Sequence, residues 1–317
     1  MTLLIPATTT FVFPGQGSQT LGMARDLAEA FSSARLAFDE ADEALGFKLS
    51  SLCWEGQEAE LNDTINTQPA LLAASIAALR AVREHLGDFT PAFMAGHSVG
   101  EVTALVAAGA IDYADGLRLI RRRGEAMKAA GTQAPGGMAA ILNLEVEALQ
   151  AICAEASVEA GAPVQVANDN CPGQVVISGA LPALEKAMEL AKARGAKRAL
   201  RLQVSIAAHS ALMAPEVPGY AEAVAATRIR APLVPVVSNI TAAPLADGDA
   251  IRVELPAQLT SPVRWTESVR YLLGRGVTTF VELGSKDVLT GLLKRIDATA
   301  VGVAVGAPEA VRALAVN

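Results

Sequence analysis

Residues 96–100 read Gly-His-Ser-Val-Gly, which matches the G-x-S-x-G pattern of a nucleophile elbow with Ser98 at its centre. The strand-like run AFMA precedes the motif and the helical run EVTALVAAGA follows it, as a strand, sharp turn and helix require. Free N–H groups at the start of that helix would point at a reacting carbonyl, and the amide of Val99 would be the first oxyanion donor. A Gly-Ser turn of purely structural use is the competing interpretation.

A serine nucleophile needs a base, and the chain offers three histidines. His85 lies at a polar helix end, and His97 adjoins Ser98 on a turn where neighbouring side chains usually point apart. His209 lies among small residues in VSIAAHSALM and is the candidate base by elimination, with a buried structural histidine as the alternative. Acidic residues that could orient the imidazole are Asp112, Asp115 and Asp169. None has a distinctive setting, so a backbone or side-chain carbonyl is the other candidate.

Two further segments carry residue types suited to a substrate site. The turn PGQGSQ at 14–19 has glycines that permit close backbone approach, but it lacks the Lys-Ser/Thr ending of a phosphate loop. We therefore expect Gln16 to supply a second oxyanion donor. Three consecutive arginines at 121–123 fan out around a helix, so one of them can point inward. A buried arginine requires an anion, such as a substrate carboxylate, whereas a charged helix face is the simpler interpretation.

The composition excludes several classes of protein. The chain has 317 residues, of which 51% are hydrophobic and 19% charged, so it is globular and not disordered. Its net charge of −7 argues against nucleic-acid binding and against electrostatic attachment to anionic membranes. No apolar stretch reaches the ~18 residues of a membrane span. The N-terminus lacks the basic residues of a signal peptide.

The cysteines indicate a reducing compartment. Their number is odd and they lie far apart, at 53, 153 and 171, which suits neither a disulfide framework nor a zinc site. We therefore expect a cytoplasmic protein without a metal. No extended apolar seam is evident, so a monomer is the expected state.

Strand-like and helical segments alternate along the chain, which is typical of a parallel sheet covered on both faces. Helices are predicted at Met23–Ala44 and Pro69–Leu86. Residues 134–205 instead follow the order β-α-β-β-α-β and are predicted to form a ferredoxin-like small domain. This domain is inserted into a large α/β domain made of 1–133 and 206–317. The other predicted segments are strands at 137–142, 164–167, 174–178, 197–204, 233–239 and 278–283, and helices at 102–109, 116–130, 145–156, 181–194, 261–273 and 286–296.

Several motifs in a fixed order give the chain a family resemblance. They are FVFPGQGSQTLGM, NTQPAL, GHSVGE, RRRGEAM, NDNCPGQVVISG, VSIAAHSALM, LTSPVRWTES and VLTGLLKRI. With these motifs the sequence resembles the malonyl-CoA:acyl carrier protein transacylases and, more widely, the acyltransferase domains of polyketide synthases. The resemblance covers nearly the whole chain and implies an α/β-hydrolase-like large domain carrying a ferredoxin-like small domain.

The resemblance also implies a role for each candidate residue. A malonyl group would pass from malonyl-CoA to Ser98 and then to the phosphopantetheine thiol of acyl carrier protein. This ping-pong reaction needs neither a metal nor a tightly bound cofactor. The implied roles are nucleophile for Ser98, base for His209, carboxylate clamp for Arg123, oxyanion donors for Gln16 and Val99, imidazole orientation by the Gln258 carbonyl, and pocket wall for Gln68.

The resemblance leaves three questions open. The triplet Ile-Ala-Ala at 206–208 matches neither familiar polyketide-type signature, so malonyl is expected while branched malonyl units stay open. Carrier proteins are usually acidic, so docking needs a local basic patch. The available charges are Arg121, Arg122, Lys186, Lys192, Arg194, Lys197 and Arg198. The alternatives are a serine esterase or thioesterase of this architecture, and a subunit serving a polyketide synthase or malonate decarboxylase carrier.

Overall fold

The computed structural model of the protein describes residues 2–87, 89–204 and 206–316. Short 3₁₀ turns occur at Pro6–Thr8 and Ala211–Glu216. The strands are β1 (Thr2–Leu4), β2 (Thr9–Phe13), β3 (Phe93–Gly96), β4 (Gly136–Leu142), β5 (Val164–Cys171), β6 (Gln174–Ala180), β7 (Arg198–Arg201), β8 (Val236–Val237), β9 (Val263–Arg264), β10 (Thr279–Leu283), β11 (Val301–Val305) and β12 (Leu314–Val316). The α-helices are α1 (Arg25–Ala30), α2 (Ser32–Leu45), α3 (Leu49–Glu55), α4 (Glu58–Leu61), α5 (Thr64–Leu86), α6 (Val99–Ala107), α7 (Tyr113–Gln133), α8 (Val146–Ala160), α9 (Leu181–Ala193), α10 (Val217–Ala226), α11 (Gly248–Ala257), α12 (Trp265–Gly274), α13 (Val288–Ile296) and α14 (Pro308–Arg312).

One of two five-stranded sheets, here called the parallel sheet, has only parallel strands, as the alternation of strands and helices predicts. Its strands lie in the order β11-β10-β2-β3-β8. Strand β2 is buried along its whole length, which fits its unbroken run of apolar and β-branched residues. Because β2 and β3 are neighbours and parallel, the turn after β2 and the elbow after β3 meet at one edge of the sheet.

Four strands of the second five-stranded sheet, here called the mixed sheet, lie in the segment 134–205 in the order β7-β4-β6-β5. Their adjacent pairs are antiparallel, and α8 and α9 pack on one face over a separate apolar cluster. A fifth strand comes from outside this segment, because β9 pairs in parallel with β5 through Asn168 and Val263. A third sheet consists of the parallel pair β1 and β12. The protein is therefore a mixed α/β fold in which the chain beyond residue 205 supplies a strand to the sheet of the segment 134–205.

The structure corrects several predicted boundaries. The helix predicted at Met23–Ala44 is two helices, because Phe31 is extended between α1 and α2. Helix α5 begins at Thr64, not at Pro69. Proline is costly inside a helix, but packing outweighs this cost because most of α5 is buried. The carbonyl of Ile65, which would accept from the missing N–H of Pro69, lies 3.4 Å from Nη1 of Arg121.

Three other predicted elements are shorter than expected. The strand predicted at 197–204 is β7 alone, and that at 233–239 keeps only β8. The helix predicted at 261–273 begins at Trp265, because the preceding Val263 and Arg264 pair with β5. No helix within the residues that the structure describes is long and apolar enough to cross a membrane.

Candidate active site

Ser98 lies between β3 and α6 with φ 54° and ψ −109°, a left-handed conformation that non-glycine residues rarely adopt. Both motif glycines are required by close backbone contacts. A Cβ at Gly96 would overlap the carbonyl of Gly100, and a Cβ at Gly100 would overlap the carbonyl of Phe13. The strand, turn and helix predicted around Ser98 are therefore present, with the strain that exposes a nucleophile.

His209 is the histidine that meets Ser98, across 111 residues of sequence. Its Nε2 lies 2.7 Å from Oγ of Ser98, and its Nδ1 lies 2.8 Å from the carbonyl oxygen of Gln258. The carbonyl oxygen of Ser261 is 3.1 Å from the same Nδ1. Because carbonyls only accept, Nδ1 carries the proton and Nε2 is left to accept the hydroxyl hydrogen of Ser98.

The neutral form of the imidazole is strongly favoured. His209 is 3% exposed, and its burial, together with the positive charge of Arg123, lowers its pKa to about 3. Two carbonyl acceptors at Nδ1 oppose these effects only in part. His209 is therefore unprotonated and able to accept a proton throughout the neutral range.

The three acidic residues considered from the sequence do not contact His209. Asp112 pairs with Arg230, Asp115 lies 3.0 Å from Arg118, and Asp169 accepts a hydrogen bond of 2.7 Å from the hydroxyl of Thr266. Backbone carbonyls take the orienting position instead. The sequence left two candidates for this position, an acidic residue or a carbonyl, and the structure places carbonyl oxygens beside Nδ1 of His209.

Arg123 points inward from α7, and it is 2% exposed. Its Nη1 donates to Oε1 of Gln68 at 2.8 Å, and its Nη2 donates to Oε1 of Gln258 at 2.8 Å and to Oγ of Ser98 at 3.1 Å. Its Nε has no partner, and no carboxylate within the described ranges forms an ion pair with it. Burial lowers the pKa of the guanidinium. A buried cation that has no carboxylate in direct contact among the described residues thus lies beside the serine hydroxyl, and an anion bound there would compensate its burial.

Gln68 links Arg123 to the turn after β2. Its Nε2 donates to Oγ1 of Thr64 at 2.9 Å, and that hydroxyl donates to Oε1 of Gln16 at 3.1 Å. Gln16 is exposed at the mouth of a cleft of about 790 Å³. The other residues lining this cleft include Thr64, Lys128, Arg201, Gln203 and Ile206. A chain of hydrogen bonds therefore runs from Arg123 through Gln68 and Thr64 to Gln16, and its last two members line the cleft.

Two residues behind the elbow have no counterpart in the sequence predictions. Oδ1 of Asn239 accepts from the N–H of Ser98 at 2.7 Å, and its Nδ2 donates to the carbonyl of Gly96 at 2.7 Å. The carboxyl of Glu101 accepts from the N–H of Asn239 at 2.7 Å and from Nε2 of Gln258. Glu101 lies within the GHSVGE motif, on an otherwise apolar helix, which is a usable signal for a buried acid. Asn239 carries no such signal, because it lies 141 residues beyond Ser98.

His97 points away from Ser98, as predicted for adjacent residues on a sharp turn. Its Nε2 lies 2.8 Å from Oδ1 of Asn170 on β5, and its ring packs edge-on against Trp265 at 5.7 Å. Burial lowers its pKa. His97 thus joins the elbow to β5 of the mixed sheet through its hydrogen bond to Asn170.

The basic residues considered for docking divide into two groups. Arg122 lies 2.7 Å from Glu125, Lys186 lies 2.9 Å from Glu159 and Arg194 pairs with Glu155. Arg121 donates to Asn66 at 2.7 Å. The members of the set with neither an ion pair nor a side-chain hydrogen bond among the described residues are Lys192, Lys197 and Arg198, which are exposed on and around β7.

The chain matches one family and many known proteins. The family model for the acyl transferase domain matches residues 10–307. The malonyl CoA-acyl carrier protein transacylase of Bacillus subtilis is 48% identical over 301 residues, which cover 95% of this chain and 94% of that protein. The crystal structure of an acyl carrier protein S-malonyltransferase from Vibrio cholerae is 46% identical, with a TM-score of 0.91 over 95% of this chain and 97% of that chain. A type II PKS acyl-carrier protein in complex with its malonyl-transacylase gives a TM-score of 0.92 at 44% identity, over 96% of this chain and 97% of that chain.

Proposed function

Because the chain belongs to the acyl transferase family, and within it to the malonyl CoA-acyl carrier protein transacylases, we propose that it moves a malonyl group from malonyl-CoA to the phosphopantetheine thiol of acyl carrier protein through an ester on Ser98. The observation that supports this mechanism is that the side chains of His209 and Arg123 both contact the hydroxyl oxygen of Ser98. Oγ of Ser98 lies 2.7 Å from Nε2 of His209 and 3.1 Å from Nη2 of Arg123.

In the first half-reaction, Oγ of Ser98 attacks the thioester carbonyl while Nε2 of His209 takes the hydroxyl proton. The carbonyl π electrons move to oxygen and form a tetrahedral oxyanion. The backbone N–H groups of Val99 and Gln16 stabilise this oxyanion. When the C–S bond breaks, His209 returns its proton to the departing sulfur. The products are CoA and malonyl-Ser98.

In the second half-reaction, the phosphopantetheine thiol enters the same cleft and gives its proton to the neutral His209. The thiolate attacks the ester carbonyl, the C–O bond to Ser98 breaks, and the imidazolium reprotonates the serine oxygen. The carbonyl of Gln258 holds the Nδ1 proton through both halves, since it is 2.8 Å away. The buried imidazole thereby alternates between base and acid without an acidic third residue.

Arg123 binds the free carboxylate of the malonyl group. Its guanidinium is buried, lies beside the nucleophile and bonds only to amide and hydroxyl oxygens among the described residues. A carboxylate matches the guanidinium fork and supplies the missing negative charge. Gln68 and Gln258 hold the guanidinium from either side and so set the depth of the acyl pocket.

The architecture supports a division of labour between two domains. The large domain, of 1–133 and 206–317, is α/β-hydrolase-like and carries the nucleophile, base and clamp. The small domain, 134–205, is ferredoxin-like. Its exposed Lys192, Lys197 and Arg198 receive the acidic carrier protein. The chain of 32.7 kDa works as a monomer, which light scattering can test.

Intact-mass analysis after brief exposure to malonyl-CoA tests this function. The wild-type protein should gain the mass of one malonyl group and lose it again when phosphopantetheinylated carrier protein is added. The Ser98→Ala variant should gain nothing. Steady release of free malonate with no adduct would instead identify a hydrolase.

A further inference from the structure

Glu101 lies directly beneath the elbow and is fully buried. Its two carboxyl oxygens have different partners. One accepts from the N–H of Asn239 at 2.7 Å, and the other accepts from Nε2 of Gln258. The Oε1 of that same Gln258 amide accepts from Nη2 of Arg123. The order of contacts is therefore carboxyl, amide, guanidinium, with the amide orientation fixed at both ends.

A second buried carboxyl belongs to the same group. Glu254 accepts from the hydroxyl of Ser238 at 2.7 Å and from the N–H of Ile240 at 3.1 Å, on either side of Asn239, whose own N–H donates to Glu101. Burial and the nearby Glu254 raise the pKa of Glu101 well above its ordinary value, while Arg123 acts in the opposite direction. Both carboxyls thus hold the turn around Asn239, and Glu101 alone of the two also reaches Gln258.

We propose, on the basis of the function above, that Glu101 is a positioning residue for malonyl transfer, because its carboxyl fixes the orientation of the Gln258 amide and so presents Oε1 of Gln258, rather than a carboxylate, to the guanidinium of Arg123. A carboxylate in direct contact with Arg123 would neutralise the guanidinium and occupy the fork that must receive the substrate carboxylate. The amide of Gln258 holds the guanidinium in place without neutralising it.

The Glu101→Gln variant tests the orientation of the amide. Its side chain keeps one acceptor oxygen, for the N–H of Asn239, and turns an NH₂ group toward Gln258. Gln258 must then flip, which brings its own NH₂ against Nη2 of Arg123. We expect malonylation of Ser98 to slow by ~10- to 100-fold, as for the loss of one hydrogen bond to a charged group. Sulfonylation of Ser98 by the neutral reagent phenylmethanesulfonyl fluoride should change by less than about threefold, because His209 keeps its backbone acceptors.

Glu282→Gln is the matched control. Glu282 is also a fully buried carboxyl that accepts two N–H groups, from Leu289 at 3.0 Å and Thr290 at 2.8 Å. It lies at the end of β10 and touches none of the site residues named above. We expect a similar fall in Tm for both variants, with malonylation reduced in Glu101→Gln alone. An equal loss of sulfonylation and malonylation in Glu101→Gln, or no loss of either, would overturn the proposal.

The double variant Glu101→Gln with Gln258→Glu tests the position of the charge. It restores the hydrogen bonds from position 101 to Asn239, between positions 101 and 258, and from Arg123 to position 258, but it places a carboxylate directly against Arg123 and loses the 3.3 Å contact from Nε2 of residue 258 to the carbonyl of Ser98. It therefore serves even if the single variant folds poorly. We expect a Tm above that of Glu101→Gln and sulfonylation within about threefold of the wild type, with malonylation still reduced by at least ~10-fold. Full recovery of malonylation would show that charge placement is irrelevant. A wild-type protein that forms no malonyl ester would instead overturn the proposed function itself.

Discussion

Nη2 of Arg123 lies 3.1 Å from Oγ of Ser98, so a buried cation is within hydrogen-bonding distance of the proposed nucleophilic oxygen. Under the proposed function, a charge in this position would distinguish acyl groups that end in a carboxylate from those that do not. Among the described residues the guanidinium has amide and hydroxyl acceptors only, so no carboxylate of the protein contacts it directly.

Replacing Arg123 with alanine should separate acid-bearing from neutral donors. We expect malonylation of Ser98 to fall by ~100- to 1000-fold, because two charge-assisted hydrogen bonds are lost. Acetyl-CoA should acylate the variant at least as fast as it acylates the wild type. Arg122→Ala is the control, since that exposed neighbour pairs with Glu125. Unchanged malonylation in Arg123→Ala would exclude the clamp.

The acid limb of the acylation rate should show no inflection near the ordinary histidine pKa of about 6.5. Burial lowers the pKa of His209 to about 3, so the base stays neutral down to weakly acidic pH. Single-turnover malonylation of Ser98 measured from pH 5 to 8 checks this. A rate that halves near pH 6.5 would mean that His209 titrates as if exposed.

The same pKa makes the stability pH-dependent. The unfolded chain binds a proton at His209 below about pH 6.5 and the folded chain only near pH 3, so the unfolded state holds more protons between these values. The free energy of unfolding should fall as pH falls through this window, by up to about 1.4 kcal/mol per pH unit from this residue. Urea titrations of the wild type and of His209→Gln at pH 7.5 and 5.5 isolate the contribution. Equal pH dependence in both proteins would contradict it.

Alanine at Gly100 should destabilise the fold. Its Cβ would overlap the carbonyl of Phe13, where β2 and the elbow helix touch. We expect a loss of about 1–3 kcal/mol or more, as for overpacking in a rigid core. Gly291→Ala is the opposite case, because Gly291 is exposed inside α13 with open space around it. That variant should gain about 0.5–1 kcal/mol in the same denaturation experiment. Similar effects at both positions would show that the contact is unimportant.

Asn239→Ala should weaken both the fold and the chemistry. It leaves the N–H of Ser98 and the carbonyl of Gly96 without their side-chain partners, at a cost of about 1–3 kcal/mol for a buried group. Because Asn239 holds the strained serine, sulfonylation by a neutral reagent should slow together with malonylation. This separates it from Glu101→Gln, which should affect malonylation alone. Retention of both rates would assign Asn239 to stability only.

Residue type and local pattern are enough to identify most of the main candidate site residues from the sequence. Ser98 carries a motif, and His209 follows from the elimination of the other two histidines. Three consecutive arginines on a helix indicate that one of them can point inward, while the choice of Arg123 among them comes from the family resemblance. The parallel sheet follows from the alternation of strands and helices. All of these signals are local, or depend on a small number of candidates.

The network behind the elbow depends on contacts that no local pattern encodes. Asn239 and Gln258 come from loops more than 140 residues beyond Ser98, and their side-chain amides give no periodic signal. The sequence does not predict the helix start at Thr64, because proline favours the first turn of a helix and Pro69 therefore indicates a later start. Tertiary packing of the buried helix outweighs this preference. Strand β9 was read as helix because its pairing with β5 is a long-range contact.

The pairing of β9 with β5 also limits how the protein can move. Gln165 on β5 donates to the carbonyls of His209 and Thr260, at 3.1 and 3.0 Å, and accepts from the N–H of Ala211. The mixed sheet therefore cannot rotate as a hinged lid without breaking backbone hydrogen bonds between β5 and β9 and displacing the proposed base. We expect the cleft to keep its width through the catalytic cycle. Donor and acceptor must then be exchanged by withdrawal of one flexible pantetheine arm and entry of the next into a static channel.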